Sequence, residues 1–348
     1  MKKTCPFSLA NSAPRILWEI TSKCNLRCRH CMVYGGRNIP KDMSFDQICE
    51  CIKKIREDNR IKEIWFSGGE PMVRDDIYDV IRVAAENGMT PSLSSNGTLI
   101  DEAAAERLFY CGIRYVHLSI DGICSQTHDM MRGVPGAFDK TIRAAYALRN
   151  AGIAVGASFM VTEESCDQIE QMAELANSLD LSTISFYMVE PFGRAADTYF
   201  GDRERLAKYL LEKKITIEDR YRGKNWRIEF PRLFSSVEEP LEMCHADKFL
   251  TITSDGKLGV CPWLSKTDYG YYGGNLLEVS VEEAWANCRS YINKLREARF
   301  HSTECEGCSL SDTCGRGCPA VSIYSEKYPY GYDLACKRSI HGSEEARL

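Results

Sequence analysis

Ile16-Leu17-Trp18-Glu19-Ile20-Thr21-Ser22-Lys23-Cys24-Asn25-Leu26-Arg27-Cys28-Arg29-His30-Cys31 runs a short apolar strand directly into three cysteines spaced C-x3-C-x2-C. Three thiolates on one tight loop can hold three irons of a four-iron cluster and leave the fourth iron open to a substrate or cofactor. A zinc knuckle or three buried thiols is the alternative. Zinc sites usually take four ligands, and no fourth cysteine lies near, although His30 could serve.

Downstream of the triplet the chain alternates strands and helices to about residue 235. Ser44 caps a helix to about Asn59, with Phe45, Ile48, Ile52 and Ile55 on one stripe. Strands are expected at 61–66, 90–95, 114–120, 153–161 and 183–189, with helices at 75–87, 101–111, 137–150, 165–179 and 202–221. Strands alternating with helices of this length imply a parallel sheet. Six such units are too few for a closed eight-fold barrel, so the expected fold is α/β, an open partial (β/α)6 barrel. Sites in such barrels gather at the C-terminal ends of the strands. The glycine-rich and polar segments fall there: Ser67-Gly68-Gly69-Glu70-Pro71, Ser94–Gly97, Ser119–Gly122 and Glu190–Arg194.

After about Pro240 the composition shifts. A hairpin is expected around Ser254-Asp255-Gly256 and a helix over 280–298, followed by cysteine-rich loop. That loop holds too little apolar sequence for a core of its own and calls for bound metal. The expected domains are residues 1–235 and 236–348. Ten of the seventeen cysteines fall into the two spaced sets, the second being Cys244, Cys261, Cys305-x2-Cys308-x5-Cys314-x3-Cys318 and Cys336. The start, Met1-Lys2-Lys3-Thr4-Cys5-Pro6, leads into no apolar signal stretch. Clustered cysteines without a signal peptide point to metal in a reducing, cytoplasmic setting, not to disulfides. The net charge of −5 and the lack of a Lys/Arg block argue against nucleic acid, and no apolar run approaches a membrane span.

The triplet followed 37 residues later by Gly68-Gly69-Glu70-Pro71 resembles the radical S-adenosylmethionine (SAM) superfamily. The resemblance implies that Cys24, Cys28 and Cys31 hold a SAM-binding [4Fe-4S] cluster. Gly68, Gly69, Glu70 and Pro71 would lie along the SAM amino group, where small residues admit backbone carbonyls and a carboxylate supplies opposite charge. It further implies that Asn96 contacts ribose, that Ser119 and Asp121 form the S-x-D-G segment, that Arg132 pairs with the SAM carboxylate, and that His30 touches adenine. As plain loop residues, Ser119, Asp121 and Arg132 would only form turns.

The C-terminal set resembles the SPASM extension of that superfamily, with Gly256-x4-Cys261 and every spacing of the four-cysteine core matched. A zinc ribbon is the alternative. By resemblance, Cys244, Cys261 and Cys318 hold one auxiliary [4Fe-4S] cluster, and Cys305, Cys308, Cys314 and Cys336 a second. Sulfatase-maturing members carry a further cysteine early in the extension and an Asp after its second cysteine. Here Leu250 and its neighbours supply no cysteine and Pro262 replaces the Asp, which disfavours that activity. The first auxiliary cluster is left with three thiolates.

Cys49, Cys51 and Cys111 read as packing residues. Cys124 and Cys166 fall on the rim of the expected site. Cys124 is the candidate hydrogen donor to a substrate radical, against the alternative of an inert loop thiol. The resemblance implies reductive cleavage of SAM to a 5′-deoxyadenosyl radical that abstracts hydrogen from a substrate, with flavodoxin or ferredoxin as electron donor. The substrate it implies is a ribosomally made peptide that is crosslinked, epimerised or oxidised. Only about 23 residues precede the triplet, leaving no room for a leader-binding domain. The Trp18-Glu19-Ile20-Thr21 start also resembles haem-pathway side-chain decarboxylases, so a tetrapyrrole or other small molecule is the second expectation. A non-catalytic iron–sulfur carrier is the third, though a carrier needs no SAM pocket.

Overall fold

The computed structural model describes residues 15–32, 41–190, 193–198, 200–230, 249–264 and 271–299. Six parallel strands lie side by side in chain order: β1 (Arg15–Thr21), β2 (Glu63–Gly68), β3 (Thr90–Ser95), β4 (Tyr115–Ser119), β5 (Ala154–Val161) and β6 (Thr183–Met188). Between and after them run α1 (Phe45–Glu57), α2 (Ile77–Glu86), α3 (Glu102–Tyr110), α4 (Ser125–Arg132), α5 (Ala137–Asn150), α6 (Ile169–Ser178) and α7 (Arg203–Arg220). A short strand β7 (Arg227–Glu229) extends the sheet beyond β6. On the opposite edge β8 (Phe249–Ile252) pairs parallel with β1, and β9 (Lys257–Gly259) and β10 (Tyr272–Asn275) follow antiparallel. The helix α8 (Val281–Arg299) packs on this end. One ten-stranded sheet therefore carries both the parallel units and the C-terminal hairpin.

The helices form because their apolar residues recur at helical spacing and their ends are capped. In α1, Ile48, Cys51, Ile52 and Ile55 are buried along one face. Ser44 Oγ accepts the Gln47 N–H while the Gln47 side chain accepts the Ser44 N–H, satisfying two otherwise orphaned donors. In the strands, alternate residues face the helices. Ile64 and Phe66 of β2 are fully buried, whereas Trp65 and Ser67 are half-buried on the other face. The core between sheet and helices centres on large rings: Trp18 lies 6.1 Å from Phe66, and Phe159 meets Phe186 edge-on at 5.9 Å. The other face carries Ser119, Ser158 and Ser185 in register across three neighbouring strands, beside the rings of Trp65, Tyr115 and His117.

Four elements depart from the sequence expectation. The helix α4 buries His128, Met131 and Arg132, so two of its three inward residues are polar and no apolar stripe announces it. The start of the expected 165–179 helix is instead a 3-10 turn, Cys166–Gln168, because Ser165 Oγ accepts the Thr162 N–H and holds the chain in a local turn. The strands β7 and β10 are three and four residues long, too short for a visible alternation. Cys244, Cys305, Cys308, Cys314, Cys318 and Cys336, and with them most of the second cysteine set, lie outside the described residues. No helix among the described residues is long and apolar enough to cross a membrane.

Truncating a core ring measures how far the site rests on this packing. Phe66 is fully buried one strand-end before the glycine pair. Phe66→Ala should lower unfolding free energy by about 3–5 kcal/mol in urea titrations; a loss below about 1 kcal/mol would contradict the packing described.

Candidate functional site

The loop after β1 carries the cysteine triplet, and its backbone is held by three neighbours. The first is the end of β2. Gly69 N–H donates to the Thr21 carbonyl and Glu70 N–H to the Lys23 carbonyl, each at 2.8 Å. This approach requires glycine. A Cβ on Gly68, whose φ is +129°, would sit 2.3 Å from Thr21 O, and one on Gly69 would sit 2.1 Å from Lys23 O. The second neighbour is the end of α4: Arg27 N–H donates to Arg132 O at 3.2 Å and Arg29 N–H to Met131 O at 2.9 Å. The third follows β6, where Arg194 donates its backbone N–H to Cys31 O and its Nε–H to Cys28 O, both at 2.9 Å.

Within the loop, Cys24 Sγ accepts the Leu26 N–H at 3.4 Å, and Cys28 Sγ accepts from Arg132 Nη1 at 3.6 Å. Burial pushes the Cys24 thiol up to about 11 and raises that of Cys28 as well. Ligation must therefore displace protons that burial favours keeping. Among the described residues no three His, Cys, Asp or Glu side chains converge as a single metal ion would require. In a four-iron cluster each thiolate binds its own iron.

Glu70 is 1% exposed and ties the ends of β2 and β3 together. Its carboxylate accepts the Ser95 hydroxyl at 2.8 Å, the Asn96 N–H at 2.7 Å and the Met72 N–H at 3.1 Å, the last capping a turn begun by Pro71. Burial raises its pKa against these three donors. Asn96 Nδ2 donates to Asn25 Oδ1 at 2.9 Å, and its own Oδ1 accepts the Thr98 N–H at 2.9 Å. Asn25 in turn donates to Thr98 Oγ1 at 2.8 Å. The residue after the first cysteine is thereby fastened to the end of β3.

A buried charged cluster lies beside Cys28. Asp121 Oδ2 stands 2.7 Å from Arg132 Nη2 and 3.4 Å from His30 Nε2. Asp121 Oδ1 accepts the Met160 N–H at 3.0 Å, and its backbone N–H donates to His128 Nδ1 at 3.1 Å. Burial pushes the Asp121 carboxyl up, but Arg132, the neighbouring histidines and the Met160 N–H hold it below the ordinary carboxylate value. Burial lowers His30 and His128 to about 4, so both rings are neutral at pH 7. Arg132 Nε and His30 Nδ1 are buried without a hydrogen-bond partner among the described residues. Ser119, half-buried, ends β4 just before Asp121.

The two rim thiols differ. Cys124 is exposed at the start of α4, where hydrogen bonds from Thr127 lower its pKa. Cys166 is half-buried and donates to Glu163 O at 3.5 Å. After the C-terminal hairpin, Cys261 Sγ accepts the Leu264 N–H at 3.4 Å. Cys288 is fully buried and donates to Leu258 O at 3.6 Å. Sequence reasoning missed Asn25 as a structural partner, the clamp by Arg194, and Asp42. Asp42 accepts the Thr21 hydroxyl at 2.5 Å and the Ser22 N–H at 2.8 Å, while the next N–H, of Met43, donates to Ser254 O at 2.8 Å. This joins the triplet loop to the β8–β9 turn.

The donor set fits an iron–sulfur cluster, since clustered soft thiolates favour such clusters over hard cations. The unpartnered Arg132 Nε leaves a donor for an anionic group on a bound cofactor. A family model described as the radical SAM superfamily matches residues 18–176, and one described as an iron–sulfur cluster-binding domain, SPASM, matches residues 244–309. The AdoMet-dependent heme synthase of Nitratidesulfovibrio vulgaris is 34% identical over 90% of this chain and 90% of its own length. Mycofactocin maturase MftC of Mycobacterium tuberculosis is 28% identical over 96% of this chain and 84% of its own. The crystal structure of Streptococcus suis SuiB bound to S-adenosylmethionine shares the fold, with a TM-score of 0.77 at 19% identity over 93% of this chain and 77% of SuiB.

The glycine pair makes a direct test. Gly69→Ala must push β2 away from Lys23, so anaerobic reconstitution should yield about four irons fewer per chain than wild type. Wild-type iron content together with a wild-type cluster spectrum would show that the close approach is dispensable.

Proposed function

The chain belongs to the radical SAM superfamily and carries its SPASM extension, and we propose that it acts on a ribosomally made peptide. It is a radical SAM enzyme, with SAM, a SAM-binding [4Fe-4S] cluster and auxiliary iron–sulfur clusters as cofactors. The observation that carries the assignment of the site is the triplet loop pinned to the Gly68-Gly69 end of β2. Cys24, Cys28 and Cys31 would hold the first cluster. Cys244, Cys261 and Cys318 would hold one auxiliary cluster, and Cys305, Cys308, Cys314 and Cys336 the other. When bound, the first cluster and SAM supply a one-electron reductive cleavage that delivers a 5′-deoxyadenosyl radical.

The chain's own residues bind and orient. A carboxylate offers about four lone-pair sites, and Glu70 has filled three, which leaves one for the ammonium of SAM. Arg132 would meet the SAM carboxylate through its unpartnered Nε–H. His30, neutral and half-buried, would lie against adenine, and Asn96, buried, near the ribose. Ser119 and Asp121 would form the S-x-D-G segment, in which the Asp121 carboxylate pairs with Arg132. Cys124, exposed on the rim with a lowered pKa, is the candidate hydrogen donor. A flavodoxin or ferredoxin in the cytoplasm would supply the electron.

The similarity to mycofactocin maturase MftC over 96% of this chain supports a peptide substrate. The fold shared with SuiB, which has also been crystallised with its precursor peptide SuiA, is consistent with it. A second reading, a tetrapyrrole substrate, is favoured by the 34% identity to an AdoMet-dependent heme synthase. The two separate by mass spectrometry of reactions with any short peptide encoded beside this gene and with an iron-coproporphyrin. A mass change in the peptide alone supports the first reading; stepwise loss of carboxyl groups from the porphyrin alone replaces it with the second.

The shared step is tested without either substrate. Reconstituted protein should hold about 12 irons per chain if all three clusters are of the four-iron type, and should release 5′-deoxyadenosine from SAM under dithionite. The triple change of Cys24, Cys28 and Cys31 to Ala should abolish release and keep about eight irons. Stoichiometric zinc with little iron would overturn the cluster assignment.

A further inference from the structure

Arg132 reaches further than a SAM contact requires. Its Nη1 stands 3.6 Å from Cys28 Sγ, while its Nη2 stands 2.7 Å from Asp121 Oδ2. Asp121 is itself fixed by Met160 and His128. Arg132 is 6% exposed and Asp121 1%, so neither charge is masked by water. The Arg132 carbonyl also accepts the Arg27 N–H, which locks the loop at the residue before Cys28. The two arginine side chains nearest in sequence to Cys28 do not compete for its sulfur: Arg29 pairs with Glu164 at 2.8 Å, and Arg27 is exposed.

We infer that Arg132, positioned by Asp121, tunes the reduction potential of the cluster held by Cys28 through an N–H···S hydrogen bond. The inference rests on Cys28 binding iron, as proposed above. Reduction adds negative charge to the cluster and its thiolates. A donor bearing a positive charge stabilises that state more than the oxidised one and so raises the potential. Asp121 offsets part of the charge and fixes the direction in which the fork points. The same guanidinium presents its Nε–H to a cofactor carboxylate, so cofactor binding and cluster potential share one side chain.

The test uses the full chain, reconstituted anaerobically and titrated without SAM. The relevant cluster signal in electron paramagnetic resonance is the one lost in Cys28→Ala. Arg132→Gln should make that cluster harder to reduce by at least tenfold in the reduction equilibrium, a downward shift of ~59 mV for one electron. Arg132→Lys should recover part of the shift, since it keeps the charge and loses the fork. In wild-type protein labelled with 15N-arginine, pulsed resonance should detect a nitrogen coupled to the reduced cluster, and Arg132→Lys should lose that coupling. A normal cluster signal with unchanged midpoint in Arg132→Gln overturns the inference and leaves the cluster assignment intact. Wild-type protein with no arginine coupling overturns it even if the variants fail to assemble. Absence of any signal dependent on Cys28 would instead overturn the assignment of the site.

Discussion

Six hydrogen bonds with neighbouring segments set the path of the triplet loop, and the site depends on them. Donors come from Gly69, Glu70 and Arg194, and the loop returns two of its own N–H groups to the end of α4. Two bonds join the loop to each of three strand–helix units, the second, the fourth and the sixth. The loop is thus assembled by the sheet as a whole, and its three cysteines inherit their separation from the register of strands that are distant in sequence. Fixing such a loop in the folded chain reduces the ordering cost left to be met when a cluster binds.

Much of this was legible in the sequence, for physical reasons. The strands of the parallel sheet and the helix stripes follow periodicity, and Ala137–Asn150 and Thr90–Ser95 appear at the expected bounds. The glycine pair was legible as a motif at a strand end, read as admitting backbone carbonyls to an ammonium, but its packing against Thr21 and Lys23, where no Cβ fits, was not. The helix α4 was not, since its inward residues are polar and serve a charged cluster instead of a core. The Arg194 clamp was also hidden. Nothing in Phe192-Gly193-Arg194 marks which carbonyl, 166 residues away, its side chain will meet. Asn25 could have been found: it directly follows a cysteine and lies within hydrogen-bond reach of the segment after β3.

The buried charges form a second constraint. Asp121 and Arg132 would each be costly alone in the interior, and their pairing is kept where it serves the loop rather than where it would add most stability. Neutral His30 and His128 flank the pair without adding charge. On the far edge of the sheet, β8 pairs with β1, and Asp42 ties the root of the triplet loop to the turn before β9. The hairpin that precedes Cys261 is therefore an extension of the same sheet, connected to the first site by backbone hydrogen bonds.

Hydrogen–deuterium exchange on the cluster-free chain tests the central claim most directly, because it reads the backbone of the loop before any iron is present. The amides of Arg27, Arg29, Gly69, Glu70 and Arg194 should exchange slowly, with protection comparable to the ends of β2 and β4. Exchange at unprotected rates until the cluster is loaded would show that iron, and not the sheet, shapes the loop.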